Sequence, residues 1–179
     1  MQMKRVYSIE RLCLGCGLCT VACTTAHSKT GDTVKAYKYE DPRPVSRIRV
    51  EGDNLDSIAV QCRHCDDPHC VAACITGAMT KDAETGLVSV DADRCIGCLT
   101  CVVACPFGCV DPGASGTGAA AGNAVAKCDL CVRRANGADG TPACVEACPN
   151  RALVFAEEAP AEFAAAAMAG ATADCEVRC

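Results

Sequence analysis

Apolar positions in this chain come in short runs, each bounded by turn residues. Arg47-Ile48-Arg49-Val50 alternates as a half-buried strand does, Gly52-Asp53-Asn54 reads as a turn, and Ile58-Ala59-Val60 follows as a second short strand. Met79–Lys81 and Leu87–Val90 flank Asp82–Gly86 and predict a hairpin. Ala152-Leu153-Val154-Phe155 is the expected last strand, matching Arg5-Val6-Tyr7-Ser8-Ile9 near the start. Val71 to Cys74 has room for one helical turn or two. The pattern predicts an α+β chain of short strands and helices. Residues 111–124, DPGASGTGAAAGNA, read as a flexible surface link, and residues 135–142 as a polar loop. From residue 157 to 179 the chain is an Ala-rich tail. Ala161 to Ala169 has the composition of a short helix after Pro160, but its apolar face is mostly methyl groups.

Such elements need a core, and the composition offers little to build one. There is no Trp, and only three Tyr and three Phe. Half the residues count as hydrophobic, a total inflated by Ala and Cys, which bury little apolar area each. What the chain has instead is cysteine. Nineteen of its 179 residues are Cys, and sixteen fall into four groups of four. The groups are Cys13/Cys16/Cys19/Cys23, Cys62/Cys65/Cys70/Cys74, Cys95/Cys98/Cys101/Cys105 and Cys128/Cys131/Cys144/Cys148. The first and third read C-x2-C-x2-C-x3-C, the spacing that holds cubane iron–sulfur clusters. Three thiolates at two-residue intervals reach three corners of a cubane, and the fourth corner must be met from elsewhere in the chain. Bound metal then organises the interior, because binding energy becomes folding energy, and an apo-protein of this sequence is expected to be largely disordered.

A secreted disulfide scaffold is the first rival. The metal-like repeat of spacings, the odd cysteine count and the arrival of Cys13 before any apolar signal-peptide core all argue against it. The expected compartment is a reducing cytoplasm. Structural zinc is the second rival. Group four, C-x2-C-x12-C-x3-C, suits it alone, but the other groups crowd a third cysteine against one tetrahedral ion. No run of about 18 apolar residues exists to span a bilayer. The formal charge of −5 becomes about −13 with four oxidised clusters, which disfavours nucleic acid.

Internal repetition organises the chain. Residues 58–110 read as a complete inner two-cluster module, residues 1–23 with 125–156 as an outer one wrapped around it, and residues 24–57 as an insert. Together residues 1–156 form one four-cluster domain. Proline follows Cys105 and Cys148 but not Cys23 or Cys74. Arg63, Arg94, Lys127, Arg133 and Arg134 flank ligands; each singly reads as surface charge, and together they offset cluster charge. His64 and His69 read as surface groups or as neighbours of ligands, and His27 suggests no partner. Cys109 reads as a small apolar filler beside a cluster, and Cys175 and Cys179 as thiols outside the groups.

From Lys4 to about Phe155 the chain resembles the four-cluster ferredoxin-like electron-transfer subunits of multi-subunit redox enzymes: formate dehydrogenases, dimethyl sulfoxide reductases, nitrate reductases and hydrogenases. The second group, QCRHCDDPHCVAAC, and the long-looped fourth, KCDLC…PACVEACPN, carry the resemblance. It implies tandem bacterial-type dicluster modules, group one pairing with group four and group two with group three. The implied ligand sets are Cys13, Cys16, Cys19 with Cys148 (set 1); Cys62, Cys65, Cys70 with Cys105 (set 2); Cys95, Cys98, Cys101 with Cys74 (set 3); and Cys128, Cys131, Cys144 with Cys23 (set 4). Within the family, CTTAHSKTGDTVKAYK, RIRVEG, AVQCRHC and TGAMTKDAETGLV are most similar to iron–sulfur subunits accompanying nickel carbon monoxide dehydrogenases.

The function expected from this resemblance is a non-catalytic relay of single electrons through four 4Fe-4S clusters. The implied donor is a carbon monoxide dehydrogenase, and the implied acceptor a hydrogenase, a ferredoxin or a flavin NAD(P)H oxidoreductase. A molybdenum or tungsten formate dehydrogenase or aldehyde oxidoreductase is the alternative partner, and a zinc-stapled interaction protein the alternative of another class. No phosphate-binding glycine motif and no nucleophile–base arrangement is legible, so no catalytic residue is expected. Full thiolate ligation leaves no iron open to a substrate.

Overall fold

The computed structural model describes residues 4–53, 56–113, 124–132 and 140–160. Among the described residues eight strands pair only in twos, as four antiparallel ribbons. Strand β1 (Arg5–Ser8) pairs with β8 (Leu153–Ala156), Val6 opposite Phe155 and Ser8 opposite Leu153. Strand β2 (Ile48–Gly52) pairs with β3 (Ser57–Gln61), and β4 (Met79–Lys81) with β5 (Val88–Val90). The last ribbon joins β6 (Val110–Asp111) to β7 (Ala126–Lys127). Five α-helices interleave among the described residues: α1 (Leu18–Ala26), α2 (Thr33–Tyr39), α3 (His69–Ala72), α4 (Thr100–Ala104) and α5 (Ala143–Glu146).

The expected hairpin and the expected match of first and last strands are both present. Other expectations shift. The inner segment 58–110 does not close on itself, because β3 pairs backward with β2 in the insert and β6 pairs forward with β7. The insert also holds α2, which starts where the Asp32 side chain accepts a hydrogen bond from Lys35 N–H at 2.8 Å. The 111–124 link is shorter than its composition suggests, since Asp111 is in a strand and Ala124 is fully buried. Residues 114–123, 133–139 and the Ala161–Ala169 segment lie outside the described residues, with Cys175 and Cys179.

Two small cores result, and cysteines belong to both. One gathers Val6, Ile48, Ala59, Leu130 and Leu153 around Cys19, Cys23 and Cys144, with Cys128 and Cys148 packed against it. The other gathers Met79, Val88, Val110 and Val125 around Cys101, with Cys70, Cys74, Cys95 and Cys105 against it. Helix α1 packs on α5, and α3 on α4, so groups one and four share a core and groups two and three share another. Polar side chains tie the ribbons together. Buried Gln61 donates to Val6 O at 2.7 Å, and Ser8 Oγ donates to Ala59 O, which holds β1 beside β3 without a ladder. Arg49 of β2 reaches Phe107 O at 2.9 Å and also Gly108 O, clasping the loop after Cys105.

The β2–β3 turn depends on one glycine. Gly52 has φ +107, and a Cβ there would lie 1.9 Å from the carbonyl oxygen of Asp56. Gly52→Ala is expected to destabilise the protein by at least ~2 kcal/mol. Urea denaturation of the loaded protein measures this, and an unchanged midpoint would show that the turn relaxes at no cost.

Candidate metal centres

Each cysteine group begins with the same backbone turn. The residue two after its first cysteine is left-handed in all four groups: Gly15 (φ 64), His64 (φ 47), Gly97 (φ 70) and Leu130 (φ 55). The conformation costs little for glycine and more for the other two residues, so it is over-determined by the loop. It curls the chain so that thiols two and three residues apart face one point. A second left-handed residue, Gly17, Leu99 or Cys131, follows in groups one, three and four. A third recurs three residues after the last cysteine, at Gly77, Gly108 and Arg151. Group one lacks it because α1 continues to Ala26 and leads into the insert.

The last cysteine of every group accepts a backbone N–H. Met79 N donates to Cys74 Sγ at 3.3 Å, Cys109 N to Cys105 Sγ at 3.3 Å, and Ala152 N to Cys148 Sγ at 3.2 Å. For Cys23 the donor is Arg47 N at 3.2 Å, from the far end of the insert. Hydrogen bonds to thiolate sulfur are a main lever on cluster potential.

Thiols from different groups converge. Cys13, Cys16 and Cys19 line one cavity with Cys148. Cys95, Cys98 and Cys101 line another with Cys74. Two further convergences appear in the electrostatics. Burial first, and then the neighbouring charges of Cys62, Cys105 and Cys65, push the Cys70 thiol up to about 11 against the opposing pull of Lys127. Burial first, and then Cys128, Cys23, Cys131 and Cys19, push Cys144 well above its ordinary range. Thiols this close cannot all be deprotonated without a cation among them, which is the situation a thiolate-held metal cluster relieves. Two buried donors point the same way. His64 Nε2 and Arg47 Nε have no hydrogen-bond partner among the described residues, and both belong to residues whose backbone N–H bonds a cysteine sulfur. The residues fit iron–sulfur clusters.

The charged surroundings depart from the sequence reading at three residues. His27 Nε2 donates to Asp129 Oδ1 at 3.0 Å, while its Nδ1 lies 2.8 Å from Cys23 O and 3.7 Å from Cys23 Sγ. Arg47 completes the group, 2.7 Å from Asp129 Oδ2. Lys127, read as surface charge, is 2% exposed. His64, read as a surface or neighbouring group, is 1% exposed and takes Val88 N–H on Nδ1 at 3.1 Å; burial first, with help from Lys127 and Arg5, holds it down to about 3. His69 is exposed, as read. Arg63 stacks on Phe107 at 4.2 Å, and Arg94 donates to Thr76 O. Cys109 is buried as a filler would be, but its thiol also donates to Phe107 O at 3.3 Å.

The sequence is similar to known proteins. Residues 54–158 match the family described as 4Fe-4S dicluster domain, and residues 11–26 match a 4Fe-4S binding domain. The chain is 41% identical over 141 residues to the putative electron transport protein YsaA of Escherichia coli (strain K12), covering 79% of this chain and 82% of YsaA. It is 39% identical over 153 residues to an iron–sulfur protein of Rhodospirillum rubrum, with 83% and 79% covered. It is also 38% identical over 141 residues to the putative oxidoreductase UacF of Escherichia coli (strain K12), covering 79% of this chain but only 19% of UacF.

The His27–Asp129 contact predicts a pH dependence. Burial pulls His27 down, but Asp129 and Cys23 outweigh it and raise it to about 9 from 6.5. A histidine raised on folding contributes stability that is full below its unfolded value and lost as pH climbs through the folded one. The loaded protein is therefore expected to lose thermal stability between about pH 6.5 and 9. Asp129→Asn should lower stability at pH 6.5 and flatten this slope; a slope equally steep in the variant would place its origin elsewhere.

Proposed function

Because the chain belongs to the 4Fe-4S dicluster family of ferredoxin-type electron-transfer proteins, we propose that it is a non-catalytic relay that holds four clusters and passes electrons singly between a catalytic dehydrogenase and an acceptor protein. Cys13, Cys16, Cys19 and Cys148 hold the first cluster; Cys62, Cys65, Cys70 and Cys105 the second; Cys95, Cys98, Cys101 and Cys74 the third; Cys128, Cys131, Cys144 and Cys23 the fourth. The observation that supports this reading is that thiols of partner groups lie together: Cys148 lines a cavity with Cys13, Cys16 and Cys19, Cys74 one with Cys95, Cys98 and Cys101, Cys105 is felt at Cys70, and Cys23 at Cys144. When bound, each cubane supplies a one-electron redox couple within the broad range of roughly −700 to +450 mV.

Exposure supports an ordered line of sites. Of the sixteen cysteines only Cys16 and Cys98 are exposed, one in the first quartet and one in the third. Large apolar side chains surround both. Leu14, Leu18 and Val21 are exposed near Cys16, and Ile96, Leu99 and Val103 near Cys98. Apolar rims beside the two most accessible sites suit two protein partners, one at each end. The second and fourth quartets occupy the middle.

The proposed donor is a carbon monoxide dehydrogenase, and the proposed acceptor a hydrogenase, a ferredoxin or a flavin NAD(P)H oxidoreductase. The stretches that support it include α1, α2, β2, β3 and the β4–β5 hairpin, and α2 presents exposed Val34, Tyr37 and Tyr39. No described helix is long and apolar enough to cross a membrane, so docking through soluble surfaces is the simpler arrangement. A cytoplasmic location follows from the same reading.

Iron and acid-labile sulfide are expected at about sixteen each per chain after anaerobic purification, four of each per cubane. Stoichiometric zinc with few irons would replace this reading by a zinc-stapled interaction protein. Anaerobic co-purification tests the partner separately. A nickel enzyme is the expected companion, and a molybdenum or tungsten formate dehydrogenase or aldehyde oxidoreductase would change the partner while leaving the relay in place.

A further inference from the structure

Lys127 is the largest fully buried side chain among the described residues. It lies on β7, opposite Val110 of β6, where the two cysteine cores meet. Its Nζ donates to the carbonyl of Val88 on β5 and, at 3.0 Å, to the carbonyl of Cys128. Among the described residues no carboxylate lies within ion-pair distance of it. The other charged groups facing this junction are ill-suited to balance it. Arg5 has the same sign, His64 can offer no negative charge, and Asp129 is committed to His27 and Arg47.

A buried ammonium bonded only to carbonyls is strongly disfavoured unless negative charge lies near it. The candidates are thiolates on either side. Lys127 precedes Cys128 of the fourth quartet and bonds its carbonyl, and on the other side the chain Lys127–Val88–His64 ends on Cys62 of the second quartet, whose Sγ takes the His64 N–H at 3.4 Å. Its neighbour His64 shares the same anchor, since Val88 gives its carbonyl to Lys127 and its N–H to His64.

We propose that Lys127 is a positioning residue: a fixed counter-cation between the second and fourth quartets that raises the potentials of both middle clusters relative to those at the ends. The inference rests on the four-cluster reading. Reduction adds one negative charge to a cluster, and a nearby cation favours the more negative state. Burial removes the solvent and salt that would otherwise screen it. A raised middle keeps an electron inside the chain until both partners are docked at the exposed ends.

The test uses protein loaded anaerobically, and its iron and sulfide content is measured first; failure of the wild type there counts against the four-cluster reading and not against Lys127. Lys127→Gln removes the charge but keeps an N–H for the Val88 carbonyl, whereas Lys127→Arg keeps the charge. A redox titration followed by electron paramagnetic resonance is expected to show two of four midpoints lowered in Lys127→Gln. The reduced-to-oxidised ratio of those two at a fixed potential should fall about tenfold, a shift of about 59 mV for one electron. The other two midpoints, and all four in Lys127→Arg, should hold. If Lys127→Gln does not load, Lys127→Met is titrated in its place. Unmoved midpoints, a common shift of all four, an equal shift in Lys127→Arg, or loss of iron from both neutral variants would each overturn the proposal, the last by making the residue's role one of folding.

Discussion

The convergence of cysteine quartets is the constraint on which the rest of the structure depends. Among the described residues no ribbon exceeds two strands and no strand exceeds five residues. An isolated two-stranded ribbon is marginal in water. The apolar cores joining them are small, and cysteines are part of each. Take the thiols as protonated and unligated, and burial pushes several of them, Cys128 up to about 12 and Cys70 to about 11, into a state with nothing to bind. Ligation turns the same crowding into the main cohesive force, since binding energy is then folding energy. Fold and site are one object here.

The quartets form because one backbone device is used four times. A left-handed residue two positions after the first cysteine bends each loop, and a helix of four to nine residues then carries the third cysteine, or leads away from it, toward the partner group. Where α1 meets α5, Cys148 lines a cavity with Cys13, Cys16 and Cys19, and where α3 meets α4, Cys74 lines one with Cys95, Cys98 and Cys101. The inner segment also reaches beyond itself. Its edge strands are left to pair with β2 and β7, and those pairings bind the inner and outer halves into one unit.

How much of this was legible follows from how local each signal is. The sixteen candidate ligands are local, because spacing within a loop is what a cubane reads. So are the β4–β5 hairpin and the β2–β3 turn, marked by Asp82–Gly86 and Gly52-Asp53. Helix α2 escaped notice because it buries only Ala36 and so has no apolar stripe; its one cue was Asp32 as N-cap. Strand β7 is two residues long beside an Ala-rich link, too short for alternation to register. The His27–Asp129 contact joins residues 102 apart, and nothing near His27 announces it. Lys127 looked like Arg63 or Arg94 because all three sit beside a cysteine; only the pairing of β6 with β7 turns one of them inward.

That last distinction shows how a chain of net charge −5 accommodates further negative charge. Its acids and bases are not distributed alike. Asp66, 86% exposed at its side chain, typifies a carboxylate left in water, whereas Lys127, Arg47 and His27 are drawn inside. Asp129 is the buried exception, and it is clamped between His27 and Arg47, which hold its carboxyl well below the usual range after overcoming its burial. Each of these cations also touches, or shares a backbone hydrogen bond with, a cysteine: Cys23 for His27 and Arg47, Cys128 for Lys127. A cation added at the surface would be screened within about 10 Å at ordinary salt, but one buried beside the thiolates is not. The net charge of the chain is negative, while the sign is reversed locally around the buried cysteines.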